Sequence, residues 1–305
     1  MKKKDNILII KHGAFGDLVQ ADGIFKSIRH RHKNANIILM TSKKFINLIT
    51  FSPYIDDVII DDRPSFFNIA FYISLYKKIS SYNISVIYDL QNSQRTYIYR
   101  KYFFYKLNWI STKRKDHKSS GLRGLVDMLK ENSIDVKDAL KPNISWLSTD
   151  INNLLKRNKI SSKYIVLLPG SSKNHKLKRW PYFKKLAIIL ILKKFEVITI
   201  LGPEELDLEQ SMPGLILKNL DWRQLSGVIE NSHFIFGNDS GPCHIASCLN
   251  KFGLALFGPS TSAIRSELKK GRFDILETND LKKLSAEETF NRMLINLNKN
   301  NFKRH

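Results

Sequence analysis

The chain has 305 residues, 43% of them hydrophobic, enough for about two domains of ~150 residues with cores of their own, and wholesale disorder is excluded. Fifty Lys+Arg against 28 Asp+Glu leave a formal charge of +22. Such a surface attracts polyanions (nucleic acid, acidic lipid, or a phosphorylated or carboxylated glycan), unless the charge is spread evenly as a solvated skin.

Lys2, Lys3 and Lys4 precede an apolar run at residues 7–10, which is too short for the core of an export signal. The longest apolar stretch, residues 186–192, falls far short of the roughly 18 needed to span a bilayer. The two cysteines, Cys243 and Cys248, are spaced so that they would not share one helical face for a disulfide or a zinc clamp. So few thiols fit a reducing compartment. A cytoplasmic protein is expected, able to rest peripherally on the inner face of the membrane.

Residues 6–11 read as a buried strand and 15–30 as a helix. Strands follow at 36–41, 58–60 and 84–90, with helical patterns between them. Such alternation predicts parallel sheets with helical crossovers, an α/β fold. A second series has strands at 164–168, 195–201, 233–237 and 253–257, with a helix over 181–194 whose first turn suits Pro181. The polar stretch 141–163 is the natural linker, and 285–305 is one helical pattern with a basic tail.

Four segments carry candidate chemistry. After the first strand, Gly13 and Gly16 let the backbone turn and approach a ligand, and Asp17 sits at a helix start. This G-x-x-G lacks the third glycine of a dinucleotide fingerprint and the Lys-Ser/Thr of a P-loop. Asp17 is either functional or a stabiliser of the helix dipole. The run Pro169-Gly170-Ser171-Ser172, followed by a basic loop to Arg179-Trp180-Pro181, offers hydroxyls and amides to an anion. Asn238-Asp239-Ser240-Gly241-Pro242-Cys243-His244 follows a strand and opens a helix. Amides at Ser240, Gly241 and Cys243 there suit a diphosphate, Asp239 suits a helix cap, and His244 suits a buried structural role. Gly202-Pro203-Glu204-Glu205 places a carboxylate where a ribose could bind, or an ordinary first turn.

In this order, with Asp89-Leu90-Gln91 and Leu256-Phe257-Gly258-Pro259, these stretches resemble glycosyltransferase family 9, the heptosyltransferases of the lipopolysaccharide inner core. The elements G-N-D-S-G-P-x-H and K-R-W-P are the specific ones. The loop before Lys178 is longer and more basic than is typical, so Lys178 is aligned on K-R-W-P. The resemblance implies a GT-B fold: two Rossmann-like domains with parallel sheets facing across a cleft. Residues 1–152 would bind acceptor, 153–284 would bind donor, and 285–305 would pack back on the first domain. It implies inverting, metal-independent transfer of heptose from ADP-heptose, with no cofactor.

By the same resemblance Asp17 is the general base and Lys178 the phosphate-binding lysine. Ser171, Ser172, Ser240, Gly241 and Pro242 line the donor, Asp239 lies near its sugar, Glu205 meets the ribose, and His244 supports the loop. Gly13, Gly16 and Gln91 lie on the acceptor side, where Lys113, Arg114, Lys115, His117, Lys118 and Arg123 crowd one segment. An anionic, lipid-linked glycan would be drawn to that segment. Three other readings stand beside this one: a relative using another nucleotide sugar or glycan, a catalytically silent nucleotide binder, and a basic nucleic-acid-binding Rossmann-like protein. The last lacks any recognisable DNA- or RNA-binding module, so no nucleic-acid partner is expected.

Overall fold

The computed structural model describes residues 5–112, 121–160, 163–171, 177–260 and 266–301. The chain divides into two compact units, Met1–Pro142 and Asn143–His305. This division falls inside the polar stretch 141–163, ahead of the 152/153 boundary given with the family resemblance. Leu147 and Ile151 are buried, and a side chain at Gly227 would come within 2.4 Å of the Thr149 carbonyl, so the segment is pinned to the second unit.

The first unit runs β1 (Asn6–Ile10), α1 (Phe15–Gln20), α2 (Asp22–Arg31), β2 (Asn36–Thr41), α3 (Ile46–Ile49), β3 (Asp57–Ile60), α4 (Ile69–Ser81), β4 (Ile84–Asp89), α5 (Gln94–Ile98), β5 (Asn108–Ser111) and α6 (Leu122–Glu131). A π-helical turn, Tyr99–Phe103, continues α5. The five strands form one parallel sheet in the order β3-β2-β1-β4-β5. β1 and β2 are buried along nearly their whole length, as continuous apolar runs require in a sheet covered on both faces. Tyr72, Leu75 and Ile79 of α4, at helical spacing, pack with Tyr99 and Phe104 on Leu8, Ile10, Ile38 and Ile87. The helix expected over 15–30 is two helices, because Ala21 (ψ −2°) breaks it.

The second unit runs α7 (Asn152–Arg157), β6 (Tyr164–Leu168), α8 (Phe183–Leu192), β7 (Glu196–Leu201), β8 (Leu215–Lys218), α9 (Trp222–Asn231), β9 (Phe234–Asn238), α10 (Gly241–Cys248), β10 (Gly253–Phe257), β11 (Phe273–Glu277) and α11 (Ala286–Asn301). Its parallel sheet has the order β11-β10-β9-β6-β7-β8. Pro181 lies two residues before α8 rather than inside its first turn, since Tyr182 caps the helix. Phe290 and Met293 of α11 share this unit's core with Leu186, Ala187 and Leu190 of α8. Among the described residues, no helix is long and apolar enough to cross a membrane.

Both sheets reverse direction once. In the first unit the chain leaves β1 toward β2 and later returns past it to β4, so the reversal lies between β1 and β4. In the second unit it lies between β6 and β9. Open parallel sheets bind ligands at the carboxyl ends of the strands flanking such a point, because the two departing loops diverge and leave a crevice.

Candidate active site

The crevice of the first unit is flanked by residues 11–14 after β1 and by the turn after β4. Gly13 has φ +119°, and a β-carbon there would meet the Phe45 ring at 2.6 Å, so only glycine fits. Gly16 is buried within α1. Asp17, in the first turn of α1, accepts the Ala14 amide at 3.1 Å and lies 3.8 Å from the Lys11 ammonium. Its side chain is nevertheless 56% exposed, so the carboxylate is oriented from behind and open in front. Burial lowers the Lys11 pKa, and the neighbouring carboxylates of Asp17 and Asp89 oppose that shift.

Behind this loop lies a buried network invisible to motif reading. His12 Nε2 and Asp61 Oδ2 are 2.7 Å apart, both side chains fully enclosed, and Tyr99 donates to the same oxygen at 2.7 Å. Burial works against the Asp61 carboxylate, but the bond from His12, its electrostatic attraction, and the bonds from Tyr99 and the Arg63 amide outweigh that, so the pKa lies below the ordinary value. Gln91 accepts the His12 amide at 2.9 Å, which ties the turn after β4 to the loop after β1. Asp89 is buried, receives the Gln91 and Asn92 amides, and has a pKa raised by that burial. Beside it opens a polar cavity of about 850 Å³ lined by Ser93, Tyr97, Arg100, Trp109 and Asn132. Thr112 on its rim leads into Lys113, Arg114, Lys115, His117 and Lys118, which lie outside the described residues. Arg123 is exposed on α6.

In the second unit the crevice is flanked by the turn after β6 and the loop after β9. Asn238, fully buried at the end of β9, holds them in register. Its Oδ1 accepts the Trp180 amide at 2.9 Å, and its Nδ2 donates to the Pro169 and Gly170 carbonyls at 2.7 and 3.3 Å. Trp180 is itself anchored by Nε1 donating to the Leu284 carbonyl and by the edge of Phe183. This anchoring fixes the residues just before it. Lys178 Nζ lies 2.6 Å from Asp239 Oδ2, with both side chains mostly enclosed. Asp239 therefore pairs with a lysine rather than capping α10, whose cap residue is Ser240.

Arg179 donates to Ser171 Oγ, the Ser171 carbonyl and the Glu204 carbonyl, and pairs with Glu205 at 3.7 Å and Asp207 at 3.6 Å. Residue-by-residue reading gave Arg179 no role, although it stands inside K-R-W-P. Glu205 accepts the Gly202 amide at 2.8 Å, and its carboxylate fills the space that a side chain at Gly170 or Gly202 would take. Burial raises the Glu205 pKa, while the Gly202 amide and Arg179 oppose that. Ser171 is buried, and Ser172 lies outside the described residues. Ser240, Gly241, Pro242 and His244 are half-buried around the start of α10. The Cys243 amide, expected to be open to a diphosphate, donates to the Ser240 carbonyl at 3.1 Å. Close packing explains this: a β-carbon at Gly237 would meet Cys243 Sγ at 2.3 Å, so the helix start is drawn down onto β9. Among the described residues, no group of three or more His, Cys, Asp or Glu side chains is placed to hold a metal ion.

Residues 110–292 match the model of glycosyltransferase family 9 (heptosyltransferase). The chain is 23% identical over 316 aligned positions to lipopolysaccharide heptosyltransferase 1 of Campylobacter coli, covering 89% of each. Among solved structures it resembles a family 9 glycosyltransferase from Veillonella parvula (TM-score 0.81, 16% identity, 98% of this chain and 99% of that one). It also resembles the E. coli ADP-heptose lps heptosyltransferase II (TM-score 0.74, 17% identity, 97% and 99%). A third likeness is to E. coli heptosyltransferase WaaC with ADP (TM-score 0.73, 14% identity, 95% and 99%). Likeness at such identities speaks for the fold: two Rossmann-like units of the GT-B class.

Proposed function

The chain belongs to glycosyltransferase family 9 and is a sugar-transferring enzyme, and on that premise we propose that it moves heptose from ADP-heptose to an inner-core lipopolysaccharide acceptor. The observation carrying the proposal is topological. The motif segments with Asp17 and Gln91 flank one sheet reversal, and those with Ser171, Lys178, Asp239 and Ser240 flank the other, where open α/β sheets bind ligands.

The proposed reaction is a single inverting displacement without a metal. The acceptor hydroxyl oxygen bonds to the anomeric carbon as the bond from that carbon to the diphosphate oxygen breaks. Asp17 takes the hydroxyl proton. Its contacts to the Ala14 amide and Lys11 support this role, because a base held in one orientation needs no reorganisation on the way to the transition state. Charge growing on the departing ADP is met by Lys178 and by the donors of Ser171, Ser172, Ser240 and Gly241. Asp239 then serves the donor sugar from its place beside Lys178, Glu205 the ribose, and Pro242 and His244 shape the loop. On the acceptor side Gly13, Gly16 and Gln91 line the approach. The polar cavity beside Asp89, with Lys113, Arg114, Lys115, Lys118 and Arg123, takes the anionic, lipid-linked glycan at the inner face of the cytoplasmic membrane.

Two measurements test this. Asp17→Ala lowers turnover by roughly two to four orders of magnitude while ADP binding is retained. Full-rate turnover in that variant removes Asp17 from the mechanism. Thermal protection by a panel of ADP-, UDP- and GDP-sugars identifies the donor, and protection by UDP- or GDP-sugars alone refutes the ADP assignment.

A further inference from the structure

In the first unit, α4 is apolar on two faces. Tyr72, Leu75 and Ile79 point into the core, whereas Ile69 and Ile73, one turn apart, are 69% and 51% exposed. Just ahead of the helix, Phe66 and Phe67 are 51% and 91% exposed. A surface helix ordinarily turns polar residues to solvent outside its core-facing stripe, so exposed isoleucines at successive turns form an uncovered apolar stripe. The π-helical turn lies alongside. Tyr76 of α4 stacks on Phe104 at 5.5 Å, and Tyr72 stacks on Phe103 at 5.7 Å. Tyr102 and Tyr105, which flank these two phenylalanines in sequence, are exposed. Arg95 ties the leading segment to α4, donating to Tyr72 and the Pro64 carbonyl and lying 4.3 Å above the Phe66 ring.

The charge of this stretch is mainly positive, although the exposed Asp62 and Glu131 stand beside it. From Arg63 to Thr112 the only acidic residue is Asp89, and it is buried. Lys77, Lys78, Arg100, Lys101 and Lys106 are all exposed there. Lys101 and Lys106 each lie over an exposed tyrosine ring, at 5.2 and 5.7 Å. Apolar side chains, tyrosines and lysines on one surface match the layers of an anionic bilayer: hydrocarbon boundary, carbonyl region and phosphate. Nucleic acid would meet the same cations and rings, but it leaves the aliphatic Ile69 and Ile73 unused, whereas a bilayer interface takes both.

We propose that the face formed by Phe66, Phe67, the outer stripe of α4 and the π-helical turn docks on an anionic lipid bilayer, with Phe67, Ile69 and Ile73 entering the interface and the lysines meeting lipid phosphates. This deepens the reading of a lipid-linked acceptor by naming the surface that brings the enzyme to it. Vesicles without donor or acceptor test it, so its failure leaves the transfer reaction untouched, and a failed donor panel leaves the docking face untouched.

The experiment is co-sedimentation of the full chain with vesicles of equimolar phosphatidylcholine and phosphatidylglycerol, and with phosphatidylcholine alone. The wild-type chain binds the anionic vesicles, and added salt weakens the binding. Lys77→Ala/Lys78→Ala/Lys101→Ala weakens it about fivefold per lysine, roughly a hundredfold together. Phe67→Ser/Ile69→Ser/Ile73→Ser weakens it at least about tenfold even on anionic vesicles, which separates insertion from simple charge attraction. Both variants keep the wild-type melting temperature, since the replaced side chains are exposed. Absence of wild-type binding, equal binding by the variants, or binding to RNA in place of vesicles overturns the proposal. So does a dimer that the serine variant dissolves, because the stripe's cover is then a second copy.

Discussion

Replacing Asn238 by alanine tests the central structural claim about the second crevice, that one buried amide holds its two sides together. The substitution strands the Trp180 amide and the Pro169 carbonyl, which Asn238 meets at 2.9 and 2.7 Å in a fully buried setting. Each stranded group costs about 1–3 kcal/mol, so the loss is about 4 kcal/mol in total. For a unit of this size that lowers the melting temperature by about 10 °C. Calorimetry reads the shift. Asn238→Asp discriminates further: a carboxylate still accepts from Trp180 but faces the Pro169 carbonyl with no donor, so it melts at least as low as the alanine variant at neutral pH. Both variants also weaken ADP binding, read as a smaller ADP-induced rise in melting temperature, because Gly170, Ser171 and Lys178 lose their common anchor. An alanine variant that melts within about 1 °C of wild type refutes the reasoning, since a stranded buried pair cannot cost so little.

Asp61→Asn destabilises the first unit by about 3 kcal/mol at neutral pH, because it breaks a buried pair with His12. The Asp61 pKa is depressed in the fold, so its stabilisation is present above the ordinary aspartate value of 3.8 and disappears as pH falls through the lower folded value. The variant and the wild type therefore converge in stability in acid, and parallel stability curves down to the acid limit would contradict this. Gly13→Ala costs about 2–4 kcal/mol through its positive φ and the 2.6 Å approach to Phe45. Adding Phe45→Ala relieves the contact but not the backbone strain, and a double variant no more stable than the sum of the two single losses shows that the ring is not the obstacle.

Continuous apolar runs determined the alternating strands and helices, because β1, β2, β6, β9 and β10 are buried almost throughout and their sequences must be apolar without a break. The edge strands β5, β8 and β11 escaped reading because their apolar runs are short and half-exposed, as with Trp109-Ile110 in β5 and Leu215-Ile216-Leu217 in β8. The break at Ala21 left no trace in the helical spacing, and the polar stretch 141–163 brackets the division between units without fixing its place, because polarity does not register the burial of Leu147 and Ile151. Glycines and carboxylates after strands marked the loops at both crevices, since turn geometry and strand ends are local properties of the chain.

What those side chains do to one another was settled only by folding. Asp239 pairs with Lys178 across sixty-one positions of sequence, Asn238 joins two turns, and Asp61 closes on His12 from another strand. No spacing rule reaches so far, because these contacts depend on which strands become neighbours, and strand order is fixed by the burial of whole layers rather than by any local stretch of residues. The bare outer stripe of α4 is of the same kind: the sequence made the helix apolar on two faces, and only the packed unit shows which of them was left uncovered.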